Sequence, residues 1–94
     1  MKVYISGAIT NVPDYKEKFN AAEEQLQGIG LETVNPARLD LGNTATWEDY
    51  MKRDVKLLAD CDGIFMIKGW RRSKGARLER YLAKKLNLII MYER

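Results

Sequence analysis

The sequence predicts an α/β fold: a parallel four-stranded sheet of order βαβαβαβ with helices on both faces, built as one domain over residues 1–94. Three observations predict it. Short apolar, β-rich runs alternate with longer stretches of helical spacing, the pattern of parallel strands joined by right-handed crossovers. Glycines and an Asn-Pro pair punctuate the boundaries. The length of 94 residues can bury under about 70% of the unfolded surface, enough for one modest core and too little for two.

Each element has its own signal. Lys2-Val3-Tyr4-Ile5-Ser6 reads as a first strand, closed by Gly7. Pro13 suits a first helical turn, where its missing N–H is no loss, and a helix is expected from there to about Gly28. Tyr15, Phe19, Ala22 and Leu26 mark its inner face. Leu31 to Val34 form a second strand, stopped at Asn35-Pro36, and residues 35–46 read as a loop. Thr46 and Asp49 have the spacing of a capping box, which starts a second helix running to about Asp60. Gly63 to Lys68 read as a third strand, Gly69 to Lys74 as a basic loop, Gly75 to Leu86 as a third helix and Leu88 to Tyr92 as a fourth strand. The result is a three-layer, flavodoxin- or Rossmann-like domain. In such sheets ligands bind beyond the carboxyl ends of the strands, where the strand order reverses. That confines a site to Ser6–Asn11, Lys68–Gly75 and the helix starts beside them.

Composition narrows the chemistry. The chain contains no histidine, which excludes Ser-His-Asp and Cys-His catalysis and histidine metal ligation. One cysteine, Cys61, excludes an internal disulfide and any multi-cysteine metal site, and reads as a small buried hydrophobe. Carboxylates, hydroxyls, amines and backbone dipoles remain, and no metal or organic cofactor is expected. The apolar runs Ile64–Ile67 and Leu88–Tyr92 fall far short of the roughly 18 residues of a membrane span. The amino terminus reads as a strand and not as a signal peptide, so a cytoplasmic protein with no membrane partner is expected. A net charge of +3 permits an anionic ligand without demanding nucleic acid.

Two carboxylates sit on the wrong side of their helices. Advancing 100° per residue along the third helix gathers Leu78, Leu82, Gly75, Leu86, Ala83 and Ala76 on one arc, and Glu79 falls among them. Lys74, Arg77, Arg80, Lys84 and Lys85 share the opposite, outer arc. In the second helix Trp47, Tyr50, Met51, Val55, Leu57 and Leu58 form the apolar face, with Trp47 expected in the core, and Asp54 lies in the middle of it. A buried, unpaired carboxylate costs several kcal/mol, so each placement calls for a structural ion pair, a capping role or chemistry. Paired carboxylates beside a pocket are the usual machinery for glycosidic bonds.

These residues resemble the nucleoside 2-deoxyribosyltransferase-like superfamily, particularly its short, phage-associated members. The similarity covers essentially the whole chain. It rests on Val3-Tyr4-Ile5-Ser6-Gly7; on Asp54 followed by Leu57, Leu58, Ala59 and Cys61-Asp62; and on Ser73-Lys74-Gly75-Ala76-Arg77-Leu78-Glu79 with Ala83. The relatives of known activity are nucleoside deoxyribosyltransferases and a deoxynucleotide 5′-monophosphate N-glycosidase. The resemblance implies that Glu79 is the nucleophile at the anomeric carbon, that Tyr4 orients it, and that Asp54 helps hold the sugar. It implies further that Ser73 binds a 5′-phosphate and that the Ser6-Gly7 turn lines the pocket. Ala8 stands where a proline is common, and Tyr81 where many active relatives have glycine.

Arg71 and Gly75 complete the expected substrate site. Arg71-Arg72-Ser73-Lys74 opens a helix, whose amides and dipole favour an anion, and reads as a phosphate clamp. Trp70 reads equally as a stacking platform for a base or as an interface residue. Ser6-Gly7-Ala8 lacks the spaced glycines of a dinucleotide fingerprint. The expected function is cleavage or transfer at the N-glycosidic bond of a nucleoside or nucleoside 5′-monophosphate, by a homodimer. One alternative is a nucleotide-binding module without turnover, suggested by a chain that ends at Arg94 before the extension completing some relatives' sites. The other, a basic nucleic-acid binder, is disfavoured because the cations do not interleave with a row of exposed aromatics.

Overall fold

The computed structural model describes residues Met1–Arg94. Its elements are β1 (Lys2–Ser6), α1 (Tyr15–Gly28), β2 (Glu32–Val34), α2 (Trp47–Ala59), β3 (Gly63–Met66), α3 (Lys74–Lys85) and β4 (Ile89–Tyr92), with short 3₁₀ turns at Pro36–Arg38 and Trp70–Arg72. The four strands form one parallel sheet in the order β2-β1-β3-β4. The expected βαβαβαβ arrangement is the observed one.

The sheet sorts the sequence by strict alternation. Along β1, Val3 and Ile5 face α1, where they pack with Phe19, Ala22, Leu26, Phe65 and Ile67. Tyr4 faces the other way, into a second core with Leu58, Cys61, Ile64, Met66, Ala76 and Ala83. Thus α1 covers one face, and α2 and α3 cover the other. Because β1 is flanked by β2 and β3, the order reverses between β1 and β3, and their carboxyl ends open a crevice at that point.

Differences from the expected boundaries are small and have local causes. Pro13 lies before α1 rather than in its first turn: the Tyr15 N–H bonds the Val12 carbonyl in a separate turn, and the helix begins there. Residues 35–46 are not wholly irregular, because the Asn35 side chain accepts from the Ala37 N–H and caps the Pro36–Arg38 turn. At the end of α3 the chain turns through Asn87 at φ 59°. The Leu88 N–H then returns to the Ala83 carbonyl, so β4 starts one residue later than expected. The capping box at Thr46 is present in full.

Candidate active site

The crevice holds a cleft of about 500 Å³, lined among others by Tyr4, Ser6, Gly7, Asp54, Ser73, Gly75 and Glu79. Its floor is the end of β1. A Cβ on Gly7 would stand 2.9 Å from the Ile67 Cβ, so only glycine lets the chain leave β1 this close to β3. The N-terminal end of α3 forms one side. The Ser73 hydroxyl oxygen accepts the Ala76 N–H at 3.1 Å and caps the helix. Gly75 keeps α3 close to α2, since a Cβ there would lie 3.2 Å from the Met51 sulfur and 3.6 Å from Trp47 Nε1.

Glu79, a turn and a half into α3, is buried against the sheet, 5% exposed. The Tyr4 hydroxyl donates to its Oε2 at 2.8 Å and the Ser6 hydroxyl donates to its Oε1 at 2.7 Å. No cation pairs with it; the chain's salt bridges lie elsewhere. Burial raises its pKa to about 7, aided by the charge on Asp54 and opposed by the Ser6 and Tyr4 hydrogen bonds and by Arg53. Tyr4 moves well above its ordinary value through burial, then through the charges of Glu79 and Asp54, and so stays a protonated donor. Glu79 therefore exchanges between carboxylate and acid near neutrality.

Asp54 is a different case. Arg53 holds its Oδ1 through Nε at 2.9 Å and Nη2 at 2.8 Å. Burial raises the Asp54 pKa, and the Arg53 guanidinium and the Tyr4 hydroxyl oppose that rise. The structural ion pair considered for both carboxylates thus exists at Asp54 and not at Glu79.

The outer wall comes from residues 36–46. The Tyr50 hydroxyl donates to Asp40 Oδ1 at 2.8 Å and accepts the Leu41 N–H at 3.2 Å. The Gly42 N–H also bonds Asp40 Oδ1, at 2.8 Å. These bonds, with the nearby Lys16 and Arg53, hold the exposed Asp40 carboxyl below its usual range. Tyr15, Phe19 and Ile9 add apolar lining on the α1 side. No group of three or more His, Cys, Asp or Glu side chains is arranged to hold a metal ion.

The structure brings Tyr4, Ser6, Gly7, Asp54, Ser73, Gly75 and Glu79 together around one cleft. It does not bring Arg71 there. Arg71 follows the Trp70–Arg72 turn outward, its guanidinium 5.3 Å from the Trp70 ring, in a separate depression with Lys68, Arg72 and Tyr92. The 3₁₀ turn is the reason: it rotates Arg71 away before Ser73 caps α3. Trp47 is also not core. As the first residue of α2 it projects beyond the sheet, 38% exposed, into the cleft wall, with Lys74 Nζ 4.3 Å from its ring.

Three functional features escaped the sequence reasoning. The Ser6 side chain, expected only as part of a turn, holds Glu79 directly. Its signal was present, because Tyr4 and Ser6 share one strand face by alternation. Arg53 carried a weaker signal, a basic residue beside an out-of-place aspartate. The wall at Asp40–Tyr50 had none.

Two solved structures share this architecture. A 2-deoxyribosyltransferase from Bacillus psychrosaccharolyticus superposes with a TM-score of 0.77 at 21% identity, covering 98% of this chain and 71% of that one. A CMP N-glycosidase from Clostridium botulinum superposes with a TM-score of 0.65 at 17% identity, covering 98% of this chain and 67% of that one. No curated protein matches the sequence. No helix is long and apolar enough to cross a membrane. Residues 1–92 match the family described as a domain of unknown function, DUF4406, and on that match across nearly its whole length the chain belongs to the DUF4406 family.

Proposed function

We propose that this protein breaks the N-glycosidic bond of a nucleoside or nucleoside 5′-monophosphate, hydrolysing it or transferring the sugar, with Glu79 as nucleophile. One observation carries the reading: Glu79 is buried with no cation, yet both its oxygens are oriented by hydroxyls from the sheet floor at the edge of a ligand-sized cleft. A carboxylate kept for stability alone would be paired with a cation, as Glu23 is with Arg38. The fold shared with a deoxyribosyltransferase and an N-glycosidase supports the same class of reaction.

In the proposed step a Glu79 oxygen bonds to the anomeric carbon while the carbon–nitrogen bond breaks. The bonding pair leaves with the base, which takes a proton from solvent. Water then attacks the same carbon, losing a proton to solvent as the carbon–oxygen bond to Glu79 breaks and frees the carboxylate, or the nitrogen of a second base does so in transfer. Tyr4 and Ser6 hold the carboxylate on its line of attack, and Asp54 takes a sugar hydroxyl. The Ser73 oxygen is occupied by its helix, but its proton is free to donate to a phosphate, with Lys74 and the Trp47 indole at the same end of the cleft. The exposed apolar side chains Tyr81, Leu86 and Ile89 along α3 and β4 fit a homodimer contact, acting in the cytoplasm on free nucleotides.

Incubation with a panel of nucleosides, deoxynucleosides and their 5′-monophosphates, with free base detected by chromatography, tests the reading. Base should be released at a rate that rises with pH through about 7, as Glu79 ionises. A panel that binds but yields no base would leave a nucleotide-binding module. A panel that neither binds nor reacts would refute the assignment.

A further inference from the structure

We propose that Arg53 is a positioning residue that ties Asp54 to the outer wall of the cleft, so that one guanidinium sets both the carboxylate and the 36–42 segment facing it. The contacts divide in that way. Nε and Nη2 converge on Asp54 Oδ1. Nη1 donates to the Leu39 carbonyl, and Nη2 also reaches the Pro36 carbonyl at 3.4 Å. The guanidinium carbon lies 5.3 Å from the centre of the Tyr50 ring, whose hydroxyl holds Asp40 and the Leu41 N–H.

Lysine cannot replace this arrangement. A planar fork with five donors can serve a carboxylate and two carbonyls at once and stack on a ring; an ammonium is a point charge. With Arg53 confined to Oδ1, the other Asp54 oxygen is left for a ligand. A ligand seated against the Leu39–Asp40 side of the cleft therefore presses on the same side chain that orients Asp54. Other braces on the wall are Tyr50, which holds Asp40 and the Leu41 N–H from α2, and the Arg38–Glu23 pair at 2.7 Å, which ties it to α1; neither reaches Asp54.

The inference concerns the site on which the proposed function rests, but its test needs no turnover. Asp54 is faced by Arg53 from its own helix, Tyr4 from β1 and Glu79 from α3. In Arg53→Gln the first of these loses its charge, and carboxyl-resolved NMR should show the Asp54 midpoint rising by about one pH unit. Arg53→Lys should restore much of that midpoint while failing to restore the wall. In both variants the Leu41 and Gly42 amides should exchange with solvent about tenfold faster than in the unaltered protein. The reciprocal variant, Asp54→Asn, should also accelerate exchange at Leu41 and Gly42, which a purely local pair would leave untouched. Arg53→Lys and Asp54→Asn keep the fold in play if Arg53→Gln does not fold. Unchanged Leu41 and Gly42 exchange in Asp54→Asn, or full recovery of both amides in Arg53→Lys, would overturn the coupling. If the protein releases no base from any nucleotide, the glycosidase reading falls, and these two measurements still decide the role of Arg53.

Discussion

The two faces of the sheet are built from the same strands to different ends. Toward α1, the core of Val3, Ile5, Phe19, Leu26, Phe65 and Ile67 is apolar, and the carboxylate that α1 buries, Glu23, is paired with Arg38. Toward α2 and α3, the same register presents Tyr4 and Ser6, and the helices answer with Asp54 and Glu79. Burying apolar surface stabilises by about 25 cal/mol per Å², while burying a carboxyl without a cation costs several kcal/mol. One face therefore supplies stability, and the other gives some of it up to hold a carboxyl without a cation beside the cleft.

Replacing Glu79 breaks the comparison at its strongest point. Glu79→Gln should lower base release by about a thousandfold or more, as expected for loss of a nucleophile. The fold should persist, because the Ser6 or Tyr4 hydroxyl can rotate to accept from the amide. The same variant has a signature in stability. The folded-state pKa of Glu79, about 7, lies above the ordinary 4.5, so its contribution is complete below pH 4.5 and is lost as pH rises through about 7. That loss amounts to roughly 3 kcal/mol. Urea unfolding on either side of the window should show the unaltered protein falling relative to Glu79→Gln; equal slopes would mean that Glu79 does not titrate there.

On the opposite face, Leu26→Ala should cost about 2–5 kcal/mol and lower the melting temperature. Per folded molecule, base release should stay as it was. A change in turnover at full folding would show that the two faces are not separable. Smaller effects sharpen the face that carries the cleft. Ser73→Asp should reverse a preference for monophosphates over nucleosides by about tenfold, measured as the ratio of their binding constants, because a like charge meets the phosphate. Ser6→Ala removes the hydrogen bond that does most to lower the Glu79 pKa. The midpoint of the pH–rate profile should then move up by about half a unit; a downward move would contradict the bond's direction.

The fold and the two inward-facing carboxylates were legible in the sequence because both are matters of period. Glu79 and Asp54 stand out of phase with their helices, and no geometry beyond 100° per residue is needed to see it. Phase gives direction but not depth. Trp47 has the angle of a core residue, yet as the first residue of α2 it lies past the edge of the sheet. Arg71 failed for a related reason: a 3₁₀ turn has no periodic signature in a six-residue basic stretch, and it carried the side chain to another surface. Arg53 and the Asp40–Tyr50 wall depend on contacts across 10 or more residues of loop and helix, which neither composition nor spacing encodes.

The burial of Glu79 also determines how the protein handles protons. In a chain without histidine, this carboxyl titrates where an imidazole ordinarily would. A ligand that favours either form of Glu79 must take up or release a fraction of a proton on binding at neutral pH. The heat of binding will then vary with the ionisation enthalpy of the buffer. With a nucleoside, which carries no phosphate titrating near neutrality, calorimetry in two buffers of different ionisation enthalpy can follow the charge state of this side chain, without a label and without waiting for a bond to break.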